Sequence, residues 1–168
     1  FSKGKMKYYI IAGEASGDLH GANLIKEIKK KDSNAIIRCW GGDLMKSEGA
    51  VIVKHIKDLA FMGFWEVLLN IRSIINNLSF CKKDIIEFSP DAIVYIDYPG
   101  FNLRIAKWAK NCSFNNQYYI SPQVWAWKES RVKILKKYID NLYVILPFEK
   151  KYFKKTHSLN VEYVGHPL

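Results

Sequence analysis

Metal-ligating and redox signatures are missing from this chain. Its three cysteines, Cys39, Cys81 and Cys112, stand far apart, and no Cys-x-x-Cys pair occurs. That argues against a zinc site and a disulfide framework and leaves reduced core thiols as the expectation. The glycines at 13, 17 and 21 do not form Gly-x-Gly-x-x-Gly, and no Gly-Lys-Ser/Thr follows them. Dinucleotide binding and NTP hydrolysis therefore lose their main sequence support. No apolar run reaches the ~18 residues read as a membrane span. The richest stretch, Leu59 to Ile71, is interrupted by Gly63, Glu66 and Asn70. The N-terminus is polar as far as Met6, so no secretory signal is expected there. Acidic residues are the scarcer charge: 16 against 26 Lys plus Arg, a net charge of +10. Such a balance favours anionic partners: nucleic acid, a phosphorylated ligand or an anionic membrane surface.

What the chain does have is hydrophobic material in a regular alternation. At 168 residues and 49% hydrophobic content, residues 1–168 read as one domain with a sizeable core. Bulky β-branched and aromatic runs predict strands at Lys7 to Ala12, Ala35 to Trp40, Val51 to Val53, Ala92 to Ile96, Gln117 to Ile120, Leu142 to Leu146 and Val161 to Val164. Apolar residues at helical spacing predict helices between them: Leu19 to Lys30, a short one over Leu44 to Glu48 capped by Asp43, and a long pattern from Phe64 to Phe88 that divides into two. Others open at Phe101, cover the basic stretch around Val132 to Ile139, and span Phe148 to Lys154. Strand–helix alternation throughout implies right-handed βαβ units in a Rossmann-like, doubly wound, mostly parallel α/β sheet.

The central strand, Ala92 to Ile96, ends on an acid, Asp97, and is broken by Pro99 and Gly100. The carboxyl ends of such strands are where open α/β sheets keep their chemistry. Asp97 therefore reads as a general base or ligand clamp, or as a brace for the turn. In a Rossmann-like order the first and fourth strands are neighbours, which sets Glu14, at the end of the first strand, and Asp97 on either side of one crevice. The turn from Gly13 to Asp18 is able to hold an anion or a sugar hydroxyl, or is a tight turn with Asp18 as helix cap. Gln123, Trp125 and Trp127 follow a strand end on the same face and suit sugar or lipid recognition, or form a structural aromatic cluster.

Five stretches in order carry a resemblance: Gly-Glu-Ala-Ser-Gly-Asp at 13–18, Leu-Ala-Phe-Met-Gly-Phe-Trp-Glu-Val at 59–67, Ile-Asp-Tyr-Pro-Gly-Phe-Asn at 96–102, Tyr-Ile-Ser-Pro-Gln-Val-Trp-Ala-Trp at 119–127 and Leu-Pro-Phe-Glu at 146–149. Together they resemble the N-terminal half of the lipid-A-disaccharide synthases. The resemblance implies the N-terminal domain of a GT-B fold and an inverting glycosyltransferase. It would transfer a diacylglucosamine from its UDP derivative to the 6-hydroxyl of lipid X, a diacylglucosamine 1-phosphate. No metal or cofactor is implied, and nucleic acid is not an expected partner. Asp97 and Glu14 match the family's catalytic positions; Ser16, Asn102 and Gln123 fall in matching motifs as substrate-binding candidates. Phe61, Met62 and Trp65 become candidates for acyl or membrane contact, rimmed by Lys54, Lys57 and Arg72. The implied location is cytoplasmic, peripheral on the inner face of the inner membrane. The family continues into a C-terminal nucleotide-sugar domain beyond Gly-His-Pro-Leu, so this chain by itself is expected to be inactive. The alternatives are another GT-B protein such as a UDP-sugar epimerase, or a basic nucleic-acid-binding module.

Overall fold

In the computed structural model, which describes residues 5–60, 71–120, 129–157 and 161–165, strand β1 (Lys7–Ala12) leads into helix α1 (Ala15–Lys31). Then follow β2 (Ile36–Gly41), α2 (Asp43–Ser47), β3 (Val51–His55), α3 (Ile56–Ala60), α4 (Ile71–Phe88), β4 (Ala92–Ile96) and α5 (Pro99–Asn111). The series closes with β5 (Asn116–Tyr119), α6 (Glu129–Tyr138), β6 (Asn141–Val144), α7 (Pro147–His157) and β7 (Val161–Tyr163). The strands form one sheet in the order β3-β2-β1-β4-β5-β6-β7, and every pairing is parallel. This is the Rossmann-like α/β class expected from the alternation.

Both faces of the central strands are buried, which is why their sequences are continuously apolar rather than alternating. Tyr9 and Ile11 of β1 join Ile93 and Tyr95 of β4 in one core with Ile85 of α4, Ile105 of α5 and Leu135 of α6. Ile10 and Ala12 point the other way and join Val94 and Ile96 against Ala22 and Ile25 of α1 and Met45 of α2. A polar knot ties α4 to the first of these faces. The Tyr9 hydroxyl donates to Asp84 Oδ2 at 2.8 Å, Trp40 Nε1 donates to the Tyr9 hydroxyl at 3.0 Å, and Arg38 pairs with Asp84 Oδ1 at 3.0 Å. Burial, with the nearby Cys81 and Asp84, drives the Tyr9 phenol far above its ordinary pKa, so it stays a donor. Each side chain of the knot has a partner, which a buried polar cluster needs to limit its desolvation penalty, although Arg38 Nε is buried without one.

Two helix starts differ from the sequence expectation. Helix α1 begins at Ala15 rather than Leu19, with Glu14 as its extended N-cap residue. Helix α5 begins at Pro99 rather than Phe101, since proline's fixed φ and missing N–H suit the first helical position. Asp18, expected to cap its own helix, is buried one turn inside α1 and reaches across to α2. Its carboxylate accepts from the backbone N–H of Gly42 at 2.7 Å, Leu44 at 3.1 Å and Met45 at 3.1 Å. Asp43, expected as that cap, is the first residue of α2, and its carboxylate instead meets His55 at 3.2 Å and Lys57 at 3.3 Å. A Cβ at Gly42 would stand 2.5 Å from Asp18 Oδ2, so only glycine lets the acid in this close.

Candidate functional site

The parallel register sets Ala12 opposite Ile96. The turns leaving β1 and β4 therefore emerge side by side at the carboxyl edge of the sheet, where the sequence of strands reverses direction. A cleft of about 830 Å³ opens there. Among the described residues, Gly13, Glu14 and Ala15 form one side of it, Tyr98, Gly100, Phe101 and Arg104 another, and Ile56, Lys57 and Leu59 of α3 with Ile74 and Asn77 of α4 also line it.

The turn after β4 is unusual. Asp97 and Tyr98 both adopt positive φ, 45° and 47°, a region that non-glycine residues enter at a cost of ~1–3 kcal/mol each. Strain of this kind persists only where the surroundings fix it. Asn102 supplies much of the hold. Fully buried on the first turn of α5, its Nδ2 donates to the Asp97 carbonyl at 2.8 Å and lies within reach of the Ile11 and Ile96 carbonyls at 3.3 and 3.4 Å. One amide thus joins the ends of β1 and β4 to the turn between them. The Tyr118 hydroxyl, from β5, also donates to the Asp97 carbonyl. The Asp97 backbone is held from two elements while its half-buried side chain stands at the strand end.

Tyr98 closes the gap between the two turns. Its ring stacks on Phe101, centroids 5.6 Å apart, and covers Gly13. Partial burial, and then the Glu14 carboxylate, raise its phenol pKa above the ordinary value. Glu14 therefore sits within electrostatic range of Tyr98, exposed on the cleft wall.

The sequence candidates divide as follows. Glu14 lines the cleft, and Asp97 occupies the position immediately before the lining residue Tyr98. Ser16 is exposed on the first turn of α1, next to the lining residue Ala15. Asn102 lies behind the turn, away from solvent, where its contacts are with backbone carbonyls. Gln123, Phe61, Met62 and Trp65 lie outside the described residues. Sequence reading passed over Tyr98, Tyr118 and Arg104. A helix started at Pro99 would have found Arg104, four residues after Gly100 and so on the same face. Among the described residues no group of three or more His, Cys, Asp or Glu could hold a metal ion, and no helix is long and apolar enough to cross a membrane.

Among the described residues the arrangement offers a carboxylate-edged, largely apolar cleft with two cations, Lys57 and Arg104, on different helices. That combination fits a ligand with both apolar and anionic parts.

Comparison with known proteins gives a consistent picture. A family model described as lipid-A-disaccharide synthetase matches residues 8–168. The lipid-A-disaccharide synthase of Coxiella burnetii (strain Dugway 5J108-111) is 41% identical over 159 residues, covering 95% of this chain and 42% of that protein. The synthase of Geobacter metallireducens is 42% identical over 159 residues, 95% of this chain and 41% of its own length. That of Francisella philomiragia is 38% identical over 167 residues, 97% and 43%. The chain thus spans less than half the length of the relatives it matches. Among solved structures, the UDP-GlcNAc 2-epimerase from Neisseria meningitidis bound to UDP-GlcNAc superposes with a TM-score of 0.66 at 11% identity, over 96% of this chain and 46% of that one. A putative UDP-N-acetylglucosamine 2-epimerase from Listeria monocytogenes gives 0.62 at 9% identity, over 94% and 44%. At such identities the likeness is one of fold.

Proposed function

The chain belongs to the lipid-A-disaccharide synthetase family, and from that membership we propose that it forms the acceptor side of an inverting glycosyltransferase. The proposed reaction joins diacylglucosamine, carried as its UDP derivative, to the 6-hydroxyl of a diacylglucosamine 1-phosphate. The acceptor oxygen bonds to the anomeric carbon as the bond from that carbon to UDP breaks. The electron pair leaves with UDP, and the hydroxyl proton goes to a base.

Asp97 is the proposed base. A carboxylate held at a fixed strand end is suited to taking a proton during attack. The observation that carries the reading is the Ala12–Ile96 register, which brings the Glu14 and Asp97 turns together over an apolar cleft. Glu14 is proposed to orient the acceptor sugar through its hydroxyls. Ser16 and Gln123 are proposed to bind substrate, and Asn102 to act by fixing Asp97 through its backbone. The apolar wall of Ile56, Leu59, Ile74 and Phe101 suits acyl chains. Contacts to uridine and diphosphate are proposed to come from the portion of the relatives that this chain does not span. An epimerase reading has only the fold likeness behind it.

The test is turnover measured with the chain assayed beside the nucleotide-sugar half that its relatives carry. Asp97→Asn is expected to lower kcat ~10²–10⁴-fold with an unchanged melting curve; near-normal activity would remove Asp97 from the mechanism. The 168-residue chain alone is expected to form no product, because orientation of two substrates contributes ~7–11 kcal/mol. Product formation by the chain alone would refute that division of labour.

A further inference from the structure

We infer that Arg104 reads a phosphate monoester on the lipid acceptor and thereby sets which end of the sugar faces Asp97. The inference rests on the acceptor-side reading above. Among the described residues, the charged groups lining the cleft are Glu14, Lys57 and Arg104. Glu14 repels a phosphate, so an anionic ligand needs a cation to enter. Lys57 is already engaged: its Nζ lies 3.3 Å from Asp43, and both side chains are largely exposed. Arg104 differs. Among the described residues its guanidinium has neither an ion pair nor a hydrogen bond. Its side chain is exposed, and among the described residues no acidic group neutralises it.

Its surroundings favour a phosphate over a lone carboxylate or a polyanion. The guanidinium presents a planar fork that two phosphate oxygens can fill. The wall beside it is apolar, with Phe101 three residues earlier on the same helix and Ile74 across the cleft. Charge–charge attraction is stronger at such a surface than in bulk water. Arg104 lies one helical turn after Gly100, a rise of ~6 Å, comparable with the width of a sugar ring. At Gly100 nothing stands within 4 Å of where a Cβ would be, so a ligand can lie against the backbone there. A phosphate held by Arg104 would place the ring over Gly100 and its far hydroxyl toward the turn of Asp97 and Tyr98.

The experiment measures binding to the 168-residue chain in detergent micelles. Its ligands are diacylglucosamine 1-phosphate, the same lipid without phosphate, and inorganic phosphate. For the intact chain the phosphorylated lipid is expected to bind ~10-fold or more tightly than its dephosphorylated form, the range of a charge-assisted hydrogen bond. Arg104→Ala should abolish that ratio, and Arg104→Lys should retain part of it. Lys107→Ala, which removes an equal charge from an exposed site on the same helix, should leave it unchanged. Inorganic phosphate should not displace the lipid. An unchanged ratio in Arg104→Ala, or equal loss in Lys107→Ala, overturns the inference while leaving the acceptor reading intact. Full displacement by inorganic phosphate would make this a free-phosphate site and also overturn it. If neither lipid binds the intact chain, the acceptor reading itself falls and the inference with it.

Discussion

The ring of Tyr98 rests on Gly13. A Cβ at position 13 would stand 2.4 Å from Tyr98 Cγ and 2.5 and 2.6 Å from the two Cδ atoms. The turn after β1 and the turn after β4 are therefore packed as one unit, with Glu14 on one side of the contact and Asp97 on the other. The geometry of the candidate site depends on there being no side chain at Gly13.

The first prediction follows from this contact. Gly13→Ala forces the Tyr98 ring away and is expected to destabilise the fold by ~1–3 kcal/mol, as overpacking does. A smaller ring-free partner should relieve the clash, so Gly13→Ala with Tyr98→Ala should lose less than the two single changes summed. Urea denaturation of the four proteins in this cycle measures the coupling. Additive losses would show that the two turns are independent.

A second prediction concerns the hold on Asp97. Asn102→Ala leaves buried carbonyls without their donor, at an expected ~1–3 kcal/mol. Asn102→Asp is expected to be worse, because it points a carboxylate at the same carbonyls. Tyr118→Phe removes one hydroxyl from the Asp97 carbonyl and should cost only ~0.5–1.5 kcal/mol. Melting curves rank the three. If Tyr118→Phe proves as damaging as Asn102→Ala, the hydroxyl and not the amide is the main anchor of the turn.

The thiols give a third, pH-dependent prediction. Burial, assisted by Asp18, pushes the Cys39 thiol up to about 12, and burial likewise raises Cys81, whereas Cys112 is exposed. At pH 8 a thiol-alkylating reagent is expected to label Cys112 and spare the other two, read by peptide mass spectrometry. The raised pKa of Cys39 also fixes a sign. The neutral thiol is the form the folded state prefers, so its contribution is complete below the unfolded value of ~8.5 and is lost as pH rises from there toward about 12. A Cys39→Ala variant should accordingly lose less stability than the parent between pH 8 and pH 10. Equal losses would show that Cys39 does not contribute to the alkaline decline.

A fourth prediction addresses the membrane association expected from the sequence resemblance. Ile71 and Ile75, one turn apart on α4, are 63% and 54% exposed, and Arg72 beside them is exposed as well. An apolar pair flanked by a cation suits an anionic leaflet, where each nearby cation contributes ~1 kcal/mol. Ile71→Ser with Ile75→Ser is expected to reduce co-sedimentation with phosphatidylglycerol liposomes at low and high salt, whereas Arg72→Gln should reduce it mainly at low salt. Unchanged binding by the double variant would move the contact to another surface.

Strands were legible in the sequence because burial on both sides demands unbroken apolar runs such as Tyr8 to Ile11 and Ile93 to Ile96, which polar loops then delimit. From those runs the neighbouring of β1 and β4, and with it the pairing of the Glu14 and Asp97 turns, could be reasoned out. Side-chain errands over long distances could not. Asp18 serves α2, 24 to 27 positions away, and nothing local distinguishes it from a cap of its own helix. The left-handed backbone at Asp97 and Tyr98 was hidden for a similar reason: neither residue is glycine, and the conformation is imposed by Asn102 and Tyr118 from neighbouring elements. Nothing in the sequence set Arg104 apart until the cleft supplied its context.

The pairing of β1 with β4 also has a kinetic side. Lys7 and Asp91 are locked by two hydrogen bonds, from the Lys7 N–H to Asp91 Oδ2 at 2.7 Å and from the Asp91 N–H to the Lys7 carbonyl at 2.8 Å, across 84 positions of chain. A β1–α1–β2 unit could condense early from near neighbours, yet it would lack one wall of the cleft. Closing so long a loop is slow relative to local helix formation, and it is the step that first brings Gly13 under Tyr98. During synthesis the cleft therefore cannot be complete until the segment through Arg104 has emerged, and nascent chains cut short of that point should be unable to hold a ligand there.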